Sequence, residues 1–197
     1  MDQDIADEIE FMIDLLSKSG FYSREDILEI LETEFIEETD DFSQFEIPSN
    51  NDFKNENFSR LENAFINMVS KGIVPVHNCG YGLSEGVRDV FELKYHLNVS
   101  DLYPEGFCFY TSTDVEYAIF ENYLKITFGD FDGDEKKALE IGKIVAECLR
   151  QEDFNVVWDE TVDSQIVINP ITWDKSFDES KDYEIEGAFA LFESNWE

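Results

Sequence analysis

Residues 72–89 read GIVPVHNCGYGLSEGVRD, and the fold turns on how this stretch is parsed. Ile73, Val74 and Val76 form a short apolar run interrupted by Pro75. Proline has no N–H to give to a ladder, so the run predicts a strand at the edge of a sheet. Gly80, Gly82 and Gly86 follow within seven residues. Glycine tolerates positive φ and close backbone approach, which predicts a tight turn. Val87, Val90, Phe91 and Lys94 then fall at helical spacing, and Ser84 is placed to cap that helix through its hydroxyl.

The chain beyond repeats this rhythm. GFCFYT at residues 106–111 predicts a buried strand, and Thr113 with Glu116 matches a capping box for a short helix. YLKITF at 123–128 alternates like a strand with one wet face. A long amphipathic helix follows, with Ala138, Ile141, Ile144, Val145 and Cys148 or Leu149 turned to the sheet. Residues 155–158 and 165–168 predict two antiparallel strands, the second ended by Pro170.

Upstream, Ile5, Ile9, Met12 and Leu16 share one face of a helix over residues 2–18, which Gly20 ends. Ser23 opens a second helix lined by Ile27, Ile30, Leu31 and Phe35, completing a helical hairpin. Residues 37–57 are polar and turn-rich and predict a solvated linker or long loop, followed by a helix over 58–70. Near the C-terminus, Phe189, Phe192 and Trp196 recur at helical spacing, which predicts a docked tail. The sum is an α+β class, an α/β sandwich. It has a helical N-terminal region over 1–71, a core domain over 72–174 with a four- to five-stranded sheet and helices packed on it, and an acidic-aromatic tail over 175–197.

Charge is the strongest compositional signal. The 197 residues carry 46 acids and 14 bases, a net of −32. The acid-to-base counts are 19 to 5 over residues 1–71, 20 to 7 over 72–174 and 7 to 2 over 175–197, so no segment is neutral. Such a surface repels phosphate backbones and anionic membranes and steers basic proteins toward it. Direct nucleic-acid binding and membrane association are therefore excluded as expectations, and a basic protein partner is favoured. The 18 phenylalanines and 43% hydrophobic content still predict a folded core. No apolar run approaches the roughly 20 residues of a membrane helix, and the opening MDQDIADEIE is acidic where a signal peptide is basic, which predicts a cytoplasmic protein. Cys79, Cys108 and Cys148 are odd in number and widely spaced, which predicts reduced, buried thiols, with neither a disulfide framework nor a zinc site.

Three arrangements invite chemistry. Gly82, Ser84 and Gly86 match G-x-S-x-G between a strand and a helix, the pattern of a hydrolase nucleophile elbow. Its histidine should lie well downstream after an acid, yet His96 falls twelve residues on in the same helix and His77 precedes the serine. Asp130, Asp132 and Asp134 suggest a calcium loop, but the sixth and twelfth positions are Glu135 and Ile141 where an EF-hand needs Gly and Glu. His77 and Cys79 are two ligands where a metal site needs more. The stretch GYGLSEG lacks the lysine of a phosphate-binding loop. No cofactor and no metal is expected.

The segments GYGLSEGVRDV, GFCFYTSTDVEYAI, LKITFGDFDGDEKKALEIGKIVAECLR and VVWDETVDSQIVINPITW together resemble an uncharacterised bacterial domain family of unknown function, over residues 72–174. The small, acidic character also resembles, in type, the immunity proteins that accompany bacterial toxins. These features predict a non-enzymatic binding protein, an immunity- or antitoxin-like inhibitor that covers the basic cleft of a toxin such as a nuclease. The candidate contact residues are the acids Glu37, Glu38, Asp40 and Asp41, then Asp130, Asp132 and Asp134, then Asp178, Glu179 and Asp182, with Phe42, Phe131 and Tyr183 as anchors. The alternatives are a small hydrolase using the Gly82–Ser84–Gly86 turn and an inhibitor that mimics nucleic-acid charge.

Overall fold

Pro75 leaves its strand one donor short, and Ile73–Val76 (β1) accordingly pairs on one side only. The structure, a computed structural model, describes residues 3–37, 39, 41–48 and 53–196. Gly106–Phe109 (β2), Leu124–Asp130 (β3), Val156–Val157 (β4) and Ile166–Ile168 (β5) complete a five-stranded sheet in the order β1-β2-β3-β5-β4. β1 and β2 run parallel, with Val74 opposite Phe107, and the other pairings are antiparallel. The parallel pair is joined through Leu83–Val99 (α4).

Strand alternation divides the core in two. Ile73, Cys108, Tyr110, Leu124 and Ile126 face one side, where Glu56–Val69 (α3), Ser112–Phe120 (α5) and Glu135–Gln151 (α6) cover them. Val74, Val76, Phe107 and Phe109 face the other, under α4 and Ile185–Asn195 (α7), whose Phe192 is fully buried. Gln3–Ser19 (α1) and Arg24–Glu34 (α2) form the expected hairpin with a small core of its own, built on Ile9, Ile13, Ile27 and Leu31. It meets α5 through stacked Phe11 and Phe120. The chain is thus an α+β protein, and among the described residues no helix is long and apolar enough to cross a membrane.

Several local expectations change. Gly82, not Ser84, is the N-cap of α4, and Ser84 is exposed inside the first turn, with no side-chain cap at that helix end. The capping box of α5 is Thr111 with Asp114, two residues earlier than the Thr113–Glu116 pattern, because β2 ends at Phe109 and Thr111 is already extended. The loop after α2 is not wholly solvated: Phe42 and Ile47 are buried in the hairpin core.

A short run near the end of the chain ties its distant parts together. Trp173 Nε1 donates to the Ser19 carbonyl at 3.1 Å, and the Asp174 carboxylate accepts from the amides of Asn57 and Phe58 at 2.9 Å, capping α3. Lys175 Nζ donates to the Gly20 carbonyl at 2.7 Å, and Ser176 N donates to Asn55 Oδ1 at 2.9 Å.

Gly86 is where α4 rests on the sheet. A Cβ there would strike the Phe109 ring and stand 2.8 Å from the Cys79 carbonyl oxygen. Gly86→Ala is therefore expected to cost about 1–3 kcal/mol of overpacking. Urea unfolding checks this as a lowered midpoint at unchanged slope.

Candidate functional site

The carboxyl end of a parallel strand pair is where α/β sheets usually place ligands, because the chain there leaves the sheet and its loops open a crevice. Here that end holds His77, Asn78, Cys79 and Gly80. The loop continues the pairing of β1 and β2, with Cys79 N donating to the Tyr110 carbonyl at 2.8 Å and Ser112 N to that of Gly80 at 3.0 Å. Asn78 takes a positive φ of 48° and fixes the hairpin to the sheet, since its amide meets Tyr22 Oη at 3.2 Å and Ser112 Oγ at 2.9 Å.

His77 is buried, stacked on Phe65 with ring centres 4.3 Å apart, and edge-on to Tyr183 at 5.4 Å. Its Nδ1 lies 2.7 Å from Tyr110 Oη. Burial, helped by the charges of Lys175 and Lys181, pulls its pKa down to about 3, so the ring is neutral under ordinary conditions. Beside it Lys175 is buried with its ammonium over three rings, Tyr183 at 4.2 Å, Phe21 at 4.6 Å and Phe58 at 4.8 Å. This is an aromatic cage around a cation. Burial lowers the Lys175 pKa to about 8 against the opposing pull of Glu62. Tyr183 Oη donates to Glu62 Oε1 at 2.9 Å, and burial together with that carboxylate pushes its pKa up. Lys181 pairs with the same carboxylate at 2.6 Å.

Three cavities converge on this cluster. One of about 640 Å³ lies between α4 and the start of α7, one of about 460 Å³ between α3 and α7, and a third of about 640 Å³ between α2 and residues 181–184. In the third, Glu29 and Glu34 line one wall and Asp182 and Glu184 the other. No salt bridge among the described residues reaches these four carboxylates. Lys181, the one cation that lines this cavity, pairs instead with Glu62 at 2.6 Å.

The outer face of α4 carries a second feature. Leu83, Val87, Phe91, Tyr95 and Val99 recur every fourth residue and are 36–68% exposed, forming one apolar ridge along the helix. Gly86, Val90, Leu93 and Leu97 are the residues α4 buries. Val99, at the end of the ridge, also lines the cavity beside α7.

The residues singled out from sequence scatter over this frame. Glu37 and Asp41 are exposed beyond α2, and Glu38 and Asp40 lie outside the described residues. Asp132 and Asp134 are exposed, Asp134 being the N-cap of α6. Asp130 is not a surface contact. It is buried at the end of β3, where burial opposes its charge, but the amides of Asp134 and Asp132 and the Lys137 ammonium at 3.4 Å lower its pKa. Asp178, Glu179 and Asp182 belong to the segment before α7, and Asp182 alone of these three lines a cavity described above. Phe42 and Phe131 cannot anchor a partner, since both are buried in the protein's own cores. Ser84 stands about 18 Å along α4 from His96, at 1.5 Å per residue, and His96 faces Glu92 at 3.9 Å. Cys79 donates to the Gly86 carbonyl, and burial raises its pKa to about 12; among the described residues no three His, Cys, Asp or Glu side chains are grouped to hold a metal.

The model of a domain of unknown function, DUF6891, matches residues 2–177. The match takes in α1 to α3, which the resemblance read from residues 72–174 left out, and ends before α7. Neither the curated proteins nor the solved structures offer a match.

The two buried bases predict opposite pH windows. In the unfolded chain His77 protonates near 6.5 and in the folded chain near 3, so stability falls as the pH drops through that interval and is unaffected above it. Lys175 is charged up to about 10.5 when unfolded and about 8 when folded, so its burial becomes less costly as pH rises from 8 to 10.5. Relative to Lys175→Met, the unsubstituted protein should gain stability across that upper window, on the order of 3 kcal/mol. Urea midpoints taken at a series of pH values check both windows.

Proposed function

We propose that this chain, which belongs to the DUF6891 family, a domain of unknown function, is a binding protein for a basic partner, docked along α4 and held by the carboxylates around it. The observation that carries this reading is the α4 ridge. Acidity alone serves solubility, but a protein interface joins an apolar centre to a polar rim, and the ridge with Glu92, Glu184 and Glu186 beside its Val99 end has that composition. A net charge of −32 selects what can approach. A second copy of the chain is repelled, whereas an amphipathic, lysine- or arginine-rich segment is drawn in and loses affinity as salt screens it.

An immunity-like role fits this reading. A toxin that acts on nucleic acid carries a basic cleft, and carboxylates placed over it replace the substrate's phosphates. A protein that binds DNA would meet the same surface in the same way, which is the charge-mimic variant of the proposal. Nothing at Ser84 favours the hydrolase alternative, since Tyr110 occupies His77 Nδ1 and His96 faces Glu92 three turns away.

The experiment is capture from an extract of the source cells at low and high salt, with mass spectrometry of what is retained. A stoichiometric basic protein, released by salt, is expected on the unsubstituted chain. Leu83→Ser combined with Tyr95→Ser, both at exposed positions, should weaken its retention about tenfold or more while the melting curve stays in place. Retention of the partner undiminished by the double substitution, or an empty column at low salt, overturns the reading.

A further inference from the structure

The free margin of β1 carries main-chain groups without a partner among the described residues. β1 pairs with β2 alone, and Gly106 N donates to the Gly72 carbonyl at 3.4 Å, which sets the phase of the ladder. Carbonyls alternate sides along an extended strand, so those of Val74 and Val76 follow Gly72 toward β2 and that of Pro75 points off the margin. A trans peptide holds its N–H opposite its C=O, so the N–H of His77, joined to the Val76 carbonyl, points off the margin too. Both residues are buried, and among the described residues no hydrogen bond reaches the Pro75 carbonyl or the His77 amide. Main-chain groups left unpaired in an interior are costly.

A cavity lies where these two groups point. α3 covers one face of the sheet and α7 the other, so the space of about 460 Å³ between them sits off the β1 margin. The strand and its end contribute Pro75 and His77 to the lining, the two residues whose groups point that way, and neither Val74 nor Val76. The volume is in the range of small-ligand pockets, about 300–1,000 Å³. Ile66 lines it from α3 and Ala188 and Leu191 from α7, which makes two apolar walls on either side of the sheet plane. Lys181, the one cation in the lining, is taken by Glu62 at 2.6 Å, and Asp182 adds a negative charge.

We infer that this cavity binds a neutral planar heterocycle with an N–H donor and an acceptor side by side on one edge, as in an aminopurine or a lactam. The ligand N–H donates to the Pro75 carbonyl and its acceptor receives the His77 N–H, so the ring continues the plane of the sheet. One ring face then meets Ile66 and the other Ala188 and Leu191. A further strand needs a longer row of donors, and Pro75 interrupts that row. A phosphate or carboxylate on the ligand is repelled by Asp182 and by the net charge of −32, which selects an uncharged ring. The site is separate from the docking face of α4, since none of the ridge residues lines this cavity.

The test titrates the full chain with 9-methyladenine and with 2-pyridone, followed in proton–nitrogen correlation spectra. At least one of the two should bind and move the His77 main-chain amide proton downfield, as a new hydrogen bond does. Its counterpart with the donor methylated, the dimethylamino form of 9-methyladenine or 1-methyl-2-pyridone, should bind about threefold or more weakly, the loss of one hydrogen bond. Ile66→Trp, at a wall position 39% exposed, should fill the space and weaken the bound probe about tenfold with the circular dichroism spectrum unchanged. No binding of either probe, binding that leaves the His77 amide in place, or equal affinity for the methylated counterpart overturns the assignment.

Discussion

One ammonium group holds the molecule's distant parts at a single point. Lys175 lies under Phe21 from the hairpin turn, Phe58 from α3 and Tyr183 from the approach to α7, and it donates to the carbonyl of Gly20. Burying a charge is unfavourable unless its surroundings replace water. Here three ring faces and main-chain oxygens do so. Gly20 has a φ of +72° and no room for a Cβ against the Lys175 backbone, so the turn between α1 and α2 is shaped to that contact. With Trp173 on Ser19 and Asp174 on the first amides of α3, four consecutive residues fix where the N-terminal helices sit and where the last helix begins.

Elements with a strong local signal were legible in the sequence. Pro75 marked the edge strand, and Ser23 opened α2 with Asp26 completing its capping box. The two strands expected at 155–158 and 165–168, the second ended by Pro170, pair antiparallel as β4 and β5. What escaped depends on contacts far apart in the chain. Asp174 and Lys175 stand in a polar stretch, and nothing nearby announces that one caps a helix over a hundred residues away or that the other is enclosed by aromatic rings. Asp130 looked like a loop carboxylate because the glycine and acids around it mark a turn, yet β3 continues into it and buries it.

The site was harder to read than the fold, for two physical reasons. Acids are so numerous that none stands out, and their meaning depends on which ones the fold brings face to face. Glu29 and Asp182 are distant in sequence and share one cleft. The aromatic residues mislead in the opposite sense: Phe42 and Phe131 sit among acids in the sequence but fill interior space. One signal was present and could have been used. Along α4 two apolar series run together, Val90, Leu93 and Leu97 beside Leu83, Val87, Phe91, Tyr95 and Val99, and one sheet face cannot absorb both. A helix with more apolar surface than its neighbours can cover leaves a surplus outside.

That surplus is compatible with an orderly molecule because both margins of the sheet are closed to further strands. β1 is protected by a proline and by the packing of α7 against it, and β4 is only two residues long. Edge-to-edge polymerisation needs an extended row of free donors and acceptors, and neither margin provides one. Association is thereby confined to side-chain packing on a helix, a mode that reverses readily and leaves the backbone ladder untouched.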